Sequence, residues 1–148
     1  MLLCSINEPQ SIKGKGFTGY IFPVEHPVYL TNEPLENRFT PVAADVVFAE
    51  KAITANIKSM SSSYHKRKLV IHKNLRKYTR QYIGFINEKG QRILWVNCIW
   101  KESSFCEGAQ KDIISVSDGG TSYWNIKVNL DSGEKSLTKA PSFLSIFG

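Results

Sequence analysis

A run of positive charge is the feature of this sequence most suited to chemistry. Residues 65–80 read HKRKLVIHKNLRKYTR and hold seven of the chain's 19 Lys and Arg residues, with no acidic residue. We call this run the basic segment. Tyr64, Tyr78 and Tyr82 stand within or beside it. Cationic side chains bind phosphates and carboxylates, and aromatic rings stack on bases or anchor protein interfaces. The composition therefore predicts a surface for an acidic partner.

Three interpretations of the basic segment follow from the residues. It could dock an acidic protein partner, because Tyr and Arg are favoured interface residues. It could bind single-stranded nucleic acid, with cations on the phosphates and rings on the bases. It could also be a solvated, charged surface around one buried strand. The binding residues that a working surface would use are Lys66, Arg67, Lys73, Arg76, Lys77, Tyr78 and Arg80, while Leu69, Ile71 and Leu75 would anchor the backbone.

Catalytic patterns are missing from the sequence. Nucleophilic catalysis needs a base beside the nucleophile, and the imidazole bases are His26, His65 and His72. None of them stands in a G-x-S-x-G or H-E-x-x-H context. The carboxylates are scattered, without a pair typical of a glycosidase. We therefore expect a chain that is not an enzyme.

Metal and cofactor patterns are missing as well. Zinc sites use four ligands with short paired spacings, whereas Cys98 and Cys106 are eight residues apart and His65 and His72 are seven apart. The sequence Gly14-Lys15-Gly16 lacks the frame of a phosphate-binding loop. We expect neither a metal site nor a cofactor.

The cysteines leave two alternatives open. The chain has three, Cys4, Cys98 and Cys106, so an odd thiol remains unless pairing is intermolecular. Cys98 and Cys106 could pair across a short excursion between strands. The interpretation we prefer is that Cys98 is a buried apolar residue, since free Cys is often buried.

The location of the protein is only loosely bounded. No stretch of the sequence is apolar enough for a membrane-spanning helix. Residues 1–5 lack the basic start and long apolar core of a complete signal peptide. We expect a soluble protein, either of the bacterial cytoplasm or secreted after processing. The net charge of +6 favours acidic partners in general.

The tryptophans suggest a second kind of site. Trp95, Trp100 and Trp124 fall on predicted strands, where such residues usually belong to the core or its rim. A sheet that curls around a helix can also leave an apolar pocket lined by such rings. The residues predicted to line that pocket are Trp95, Trp124 and Tyr82.

One long helix is the clearest predicted element. Thr40 suits the cap position and Pro41 suits the first turn. Apolar residues then recur at spacings of three and four, the pattern of a helix with one buried face. This stripe consists of Val42, Val46, Ala49, Ile53, Ile57 and Met60. We predict a helix over residues 41–60.

Strand patterns follow the helix. Residues 81–86 and 92–100 flank the turn Asn87-Glu88-Lys89-Gly90 and predict a hairpin. Residues 121–130 alternate between apolar and polar, as in a half-buried antiparallel strand. Further strands are predicted at 112–116 and 135–137. The pattern of residues 65–80 fits either a strand or a helix.

These elements predict a single α+β domain over residues 1–148. Prolines punctuate residues 1–39, which we expect to form an irregular arm lying across the domain. Residues 40–148 then form one long amphipathic helix packed on a curved antiparallel sheet of four to five strands. We expect Trp124 and Ile126 to face the helix stripe.

The order of one helix and then successive antiparallel strands resembles cystatin-like and NTF2-like folds. The stretch 78–87, with Gly90, Asp118-Gly119-Gly120 and Tyr123-Trp124, is also similar to uncharacterised small bacterial proteins. The resemblance covers residues 40–130 and implies no catalytic residue. The missing catalytic patterns and the basic segment together favour a non-catalytic binding protein that acts through protein–protein interaction. The alternatives are a small-molecule pocket of NTF2-like type and single-stranded nucleic acid binding through the basic segment.

Overall fold

The structure is a computed structural model that describes residues 7–28, 37–60, 71–116, 120–133 and 135–139. One α-helix packs against one mixed β-sheet, which confirms the predicted α+β class. The elements are β1 (Gln10–Gly14), β2 (Phe17–Phe22), β3 (Arg38–Phe39), α1 (Ala43–Met60), β4 (Tyr78–Ile86), β5 (Arg92–Trp100), β6 (Tyr123–Asn129) and β7 (Lys135–Lys139).

The sheet has the order β1-β2-β4-β5-β6-β7, and the short strand β3 pairs with the end of β4. Its pairs are antiparallel except β2 with β4, which run parallel. The sheet is therefore mostly antiparallel, as predicted, but it has more strands than four or five. The parallel pair was not predicted, because it joins segments that are far apart in sequence.

The amino-terminal part is more regular than its prolines indicated. Residues 10–22 form the β1–β2 hairpin rather than an irregular arm, with Gly16 at a φ of 81° in the turn. Pro9 and Pro23 lie just outside the two strands and do not interrupt their pairing. Proline ends a strand but does not break one that it merely borders.

The helix α1 starts two residues later than predicted and is capped differently. The amide N–H of Val42 donates to Oδ2 of Asp45 at 3.0 Å, which is half of a capping box. The hydroxyl of Thr40 instead accepts from the N–H of Val24 at 2.9 Å. Asp45 in the first turn and Lys58 in the last turn both suit the helix dipole.

The helix buries the predicted stripe against the sheet. Val46 and Ile53 have no exposed surface, and neither do Trp124 and Ile126 on β6. All four belong to one apolar cluster, so the predicted packing of the helix stripe against this face of the sheet is confirmed. Val42 departs from the stripe, since it is 59% exposed at the helix start.

The opposite face of the sheet is also covered. Phe22, Ile83, Phe85, Ile93 and Trp95 form a second apolar cluster there, with Ile113 packed against it. Residues 112–116 are not the predicted strand.

Buried amides take the place of a strand ladder at 112–116. The side chain of Gln81 donates to the carbonyls of Ala109 and Asp112, each at 2.8 Å. Its Oε1 accepts from the N–H of Ile114 at 3.0 Å and from Nδ2 of Asn97 at 2.9 Å. Side chains therefore hold this segment on the sheet.

One turn and one strand agree with the sequence patterns. In the β4–β5 hairpin, Oδ1 of Asn87 accepts from the N–H groups of Lys89 and Gln91, and Gly90 has a φ of 77°. Strand β7 covers the predicted strand at 135–137. Asp118 and Gly119, which the resemblance included, lie outside the described part of the chain.

Candidate functional site

The site that the fold assembles is a groove with a cavity volume of about 920 Å³. Three separate segments form its walls: the β1–β2 hairpin, one flank of α1, and two short 3-10 turns at residues 71–77. Its lining residues are Ile12, Lys13, Gly14, Lys15, Gly16, Phe17, Ala43, Val47, Glu50, Lys51, Thr54, Ala55, His72, Lys73, Leu75 and Arg76. Most of them are exposed, so this is a surface groove. We call it the basic groove.

Positive charge dominates the basic groove. Lys13 and Lys15 come from the hairpin, Lys51 from the helix, and Lys73 and Arg76 from the 3-10 turns; all five are exposed. Glu50 is the one acidic residue among the described lining residues. Like charges converging from three segments raise the local concentration of an anionic partner.

Glu50 does not cancel this charge, because a buried arginine already pairs with it. Nη2 of Arg80 lies 3.0 Å from Oε1 of Glu50, and Nε lies 3.2 Å from Oε2. The hydroxyl of Tyr82 donates to Oε2 at 2.8 Å. Both carboxylate oxygens therefore have partners within the protein, and the exposed lysines are left for an external anion.

The ionisation of this cluster follows from its surroundings. Burial by itself lowers the pKa of Arg80. Neighbouring groups, including the Glu50 carboxylate, raise it by more, so the pKa of Arg80 is raised overall. Burial also raises the pKa of Tyr82, and the neighbouring Glu50 carboxylate raises it further. Both raised pKa values keep the Arg80 guanidinium charged and the Tyr82 phenol neutral at neutral pH.

Arg80 also shapes the groove wall. Its Nη1 donates to the carbonyl of Leu75 at 2.5 Å and to that of Tyr78 at 2.7 Å. The first of these carbonyls belongs to the second 3-10 turn, which the arginine thereby ties to β4. The turn carries Arg76 outward, while Ile71 of the first turn is buried in the helix-side core. Ile71 and Leu75 thus anchor the backbone as predicted.

The structure separates the predicted binding residues into groups. Lys73 and Arg76 lie in the basic groove. Lys77 is exposed, but its Nζ lies 5.8 Å from the centre of the Trp100 ring. The anchor Leu69 and two of the predicted binding residues, Lys66 and Arg67, lie outside the described residues.

Two other predicted binding residues are buried, which corrects the prediction. Arg80 is 1% exposed and Tyr78 has no exposed surface. The Tyr78 hydroxyl donates to the carbonyl of Thr121 at 2.6 Å. Alternate residues of a strand share one face, so Tyr78, Arg80 and Tyr82 all point at the helix rather than at solvent. Composition alone could not distinguish this face from the surface.

The predicted aromatic pocket does not form as expected. Tyr82 and Trp124 are fully buried in the helix-side cluster, whereas Trp95 belongs to the cluster on the opposite face. The three side chains therefore lie on two sides of the sheet and line no common cavity.

Three lysines of the basic groove were not predicted from the sequence. Lys13 and Lys15 belong to the stretch Ile12-Lys13-Gly14-Lys15-Gly16, where glycines between the charges are a turn signal with a basic character. Lys51 carries no such signal, because no other cation adjoins it in α1. Apolar residues also line the groove, including Val47, which is 42% exposed.

The cysteines and metal ligands offer no second site in the described ranges. Cys98 and Cys106 are both free thiols, so they do not pair. Cys98 is buried, which agrees with its interpretation as a buried apolar residue. Burial raises the pKa of the Cys98 thiol, which keeps it protonated and inert. Within the described chain, no three His, Cys, Asp or Glu side chains group together as metal ligands would.

Comparison of the chain with protein-family models, curated proteins and solved structures finds no match. Among the described helices, none has the length and apolar character needed to cross a membrane.

Proposed function

We propose that this chain is a non-catalytic binding protein whose basic groove holds an acidic segment of another protein. The observation that carries the proposal is the convergence of Lys13, Lys15, Lys51, Lys73 and Arg76 on one groove whose single described acid is already paired. Charge of one sign along a cleft steers an oppositely charged partner and suppresses wrong ones.

The apolar lining supports a protein segment in particular. Phe17, Val47 and Leu75 lie among the groove cations. Interfaces between proteins combine an apolar centre with a charged rim, and the groove has both parts. The volume of about 920 Å³ is also near the upper end of small-molecule pockets, about 300–1,000 Å³, but the exposed walls suit a longer ligand.

Nucleic acid is the less favoured ligand. Single-stranded nucleic acid binding combines phosphate contacts with exposed aromatic rings for the bases. Of the three tyrosines that the sequence offered for stacking, Tyr78 and Tyr82 are buried in the core, and Tyr64 lies outside the described residues. Phe17, the aromatic residue among the described lining residues, is 7% exposed. The relation to cystatin-like or NTF2-like proteins stays a prediction.

The test measures binding of a fluorescein-labelled peptide of alternating Glu and Val by fluorescence anisotropy. The variant Lys73→Glu/Arg76→Glu reverses two groove charges. Exposed ion pairs contribute about 0.2–1 kcal/mol each, so replacing two attractions by repulsions weakens binding by about tenfold. Added salt weakens binding to the unaltered chain as well.

A matched variant controls for net charge. Lys89→Glu/Lys111→Glu changes the charge of the chain equally at two exposed residues outside the groove, and it should bind the peptide as the unaltered chain does. Equal losses in both variants would show an unspecific charge effect. Tighter binding of oligothymidine than of the peptide, lost in the groove variant alone, would assign the groove to nucleic acid instead.

A further inference from the structure

The basic groove borders strand β1, which is an edge strand of the sheet within the described residues. Strand β1 pairs with β2 on one side, and in the described part of the chain no strand pairs with its other side. A strand edge presents unpaired N–H and C=O groups, and these can pair with an added chain. Residues 12–14 of this edge strand also line the groove.

The direction of the side chains on β1 links the edge to the groove. Ile12 pairs across the hairpin with Gly19 and packs against the helix-side core, so its side of the strand faces α1. Lys13 pairs with Thr18, so its Cβ lies on the other face, but its long side chain lines the groove from the strand edge. A strand added beside β1 would alternate in the same way, placing every second side chain in the groove.

The charges of the edge select its occupant. Lys13 and Lys15 are exposed at the edge and the turn, and lysine at an edge opposes pairing with a neutral or basic strand. A second copy of β1 would bring these lysines against their own counterparts. An acidic strand gains attraction instead, because opposite charges on paired strands stabilise a sheet.

We propose that the partner segment is an extended acidic strand that pairs with β1 by strand addition. This inference rests on the proposed function of the basic groove and adds the backbone conformation of the ligand. Main-chain hydrogen bonds to β1 supply affinity, and the alternate side chains in the groove supply selectivity. The acids of the added strand lie within reach of the lysines of the hairpin.

The test uses N-methylated forms of the Glu–Val peptide and the full chain. One form is methylated on the odd residues and the other on the even residues. A strand paired along one edge uses alternate N–H groups, so one form should bind about tenfold or more weaker and the other like the parent peptide. If both forms bind like the parent, strand addition is wrong while the groove still binds peptide. If the parent itself does not bind, the proposed function fails.

Amide hydrogen exchange provides an independent measurement. Bound parent peptide should slow exchange in residues 10–14 and leave residues 135–139 of β7 unchanged, because β7 is the far end of the sheet. Binding without any change in residues 10–14 overturns the inference. So does tighter binding to phosphatidylserine vesicles than to the peptide, or a dimer of this chain that excludes the peptide.

Discussion

Glu50 on the helix and Arg80 on β4 meet in a two-contact ion pair beneath the basic groove, with nitrogen–oxygen distances of 3.0 and 3.2 Å. Their side chains are 7% and 1% exposed. The pair joins the helix to the sheet, and through Leu75 it also holds the turn that presents Arg76. The same contact therefore supports the fold and the candidate site.

Removing one partner of this pair should destabilise the fold. Glu50→Ala leaves the Arg80 guanidinium buried without its anion, which typically costs about 3–5 kcal/mol. The measurement is the free energy of unfolding in urea. Glu50→Leu/Arg80→Met is the matched double variant, and it should recover most of the loss because no buried charge remains. A cost below about 1 kcal/mol for Glu50→Ala would show that the pair is solvated.

Alkaline pH should weaken the fold. Burial raises the pKa of Tyr82 and of Tyr78, and it raises the pKa of Tyr123 to about 12. The folded chain thus keeps these protons when the unfolded chain loses them, so the contribution of these tyrosines to stability is full below about pH 10 and falls as the pH rises beyond it.

The contribution of one phenol to this pH dependence can be isolated. A group that is protonated in the folded chain but deprotonated in the unfolded chain lowers the free energy of unfolding by about 1.4 kcal/mol per pH unit. Tyr82→Phe should therefore flatten the decline in unfolding free energy between about pH 10 and 12. The variant also loses the hydrogen bond to Glu50, so the slope and not the absolute value is compared. An unchanged slope would contradict the raised pKa of Tyr82.

Truncation of the helix stripe should be costly. Ile53 is fully buried between the helix and the sheet, and Ile53→Ala should cost about 2–5 kcal/mol in thermal or urea unfolding. Phe48→Ala removes a larger side chain from the same helix, but Phe48 is 44% exposed and the cost should stay within about 0.5 kcal/mol. Equal costs would mean that the helix packs through a different face.

Loss of the Gln81 amide should release the segment that covers the second sheet face. Gln81→Leu introduces an apolar side chain of similar size and removes four hydrogen bonds. Buried groups such as Nδ2 of Asn97 are then left with fewer partners. Each buried group left unpaired costs about 1–3 kcal/mol. Hydrogen exchange in residues 109–114 should accelerate, while exchange in β7 stays unchanged. Equal exchange with and without the amide would assign the segment's position to the apolar contacts of Ile113.

Local patterns in the sequence determined the elements that depend on near neighbours. The spacing of Val46 and Ile53 places both on one helix face, and the alternation over residues 121–130 separates Trp124 from the polar face of β6, although that face is mostly buried too and the strand is not half-buried as predicted. The turn at Asn87 and Gly90 is equally local. Such signals are readable because each depends on a few residues of one segment.

Tertiary structure alone decided which charges are exposed and which segments meet. Arg80 looks like its basic neighbours in sequence. Because alternate side chains of β4 face the helix, Arg80 instead reaches Glu50, which lies 30 residues earlier. The parallel pairing of β2 with β4 brings Lys13 and Lys15 near Arg76. No local period encodes either event, because long-range pairing depends on the combined packing of distant segments. The sequence therefore predicted a basic surface, and the fold determined which cations lie together on it.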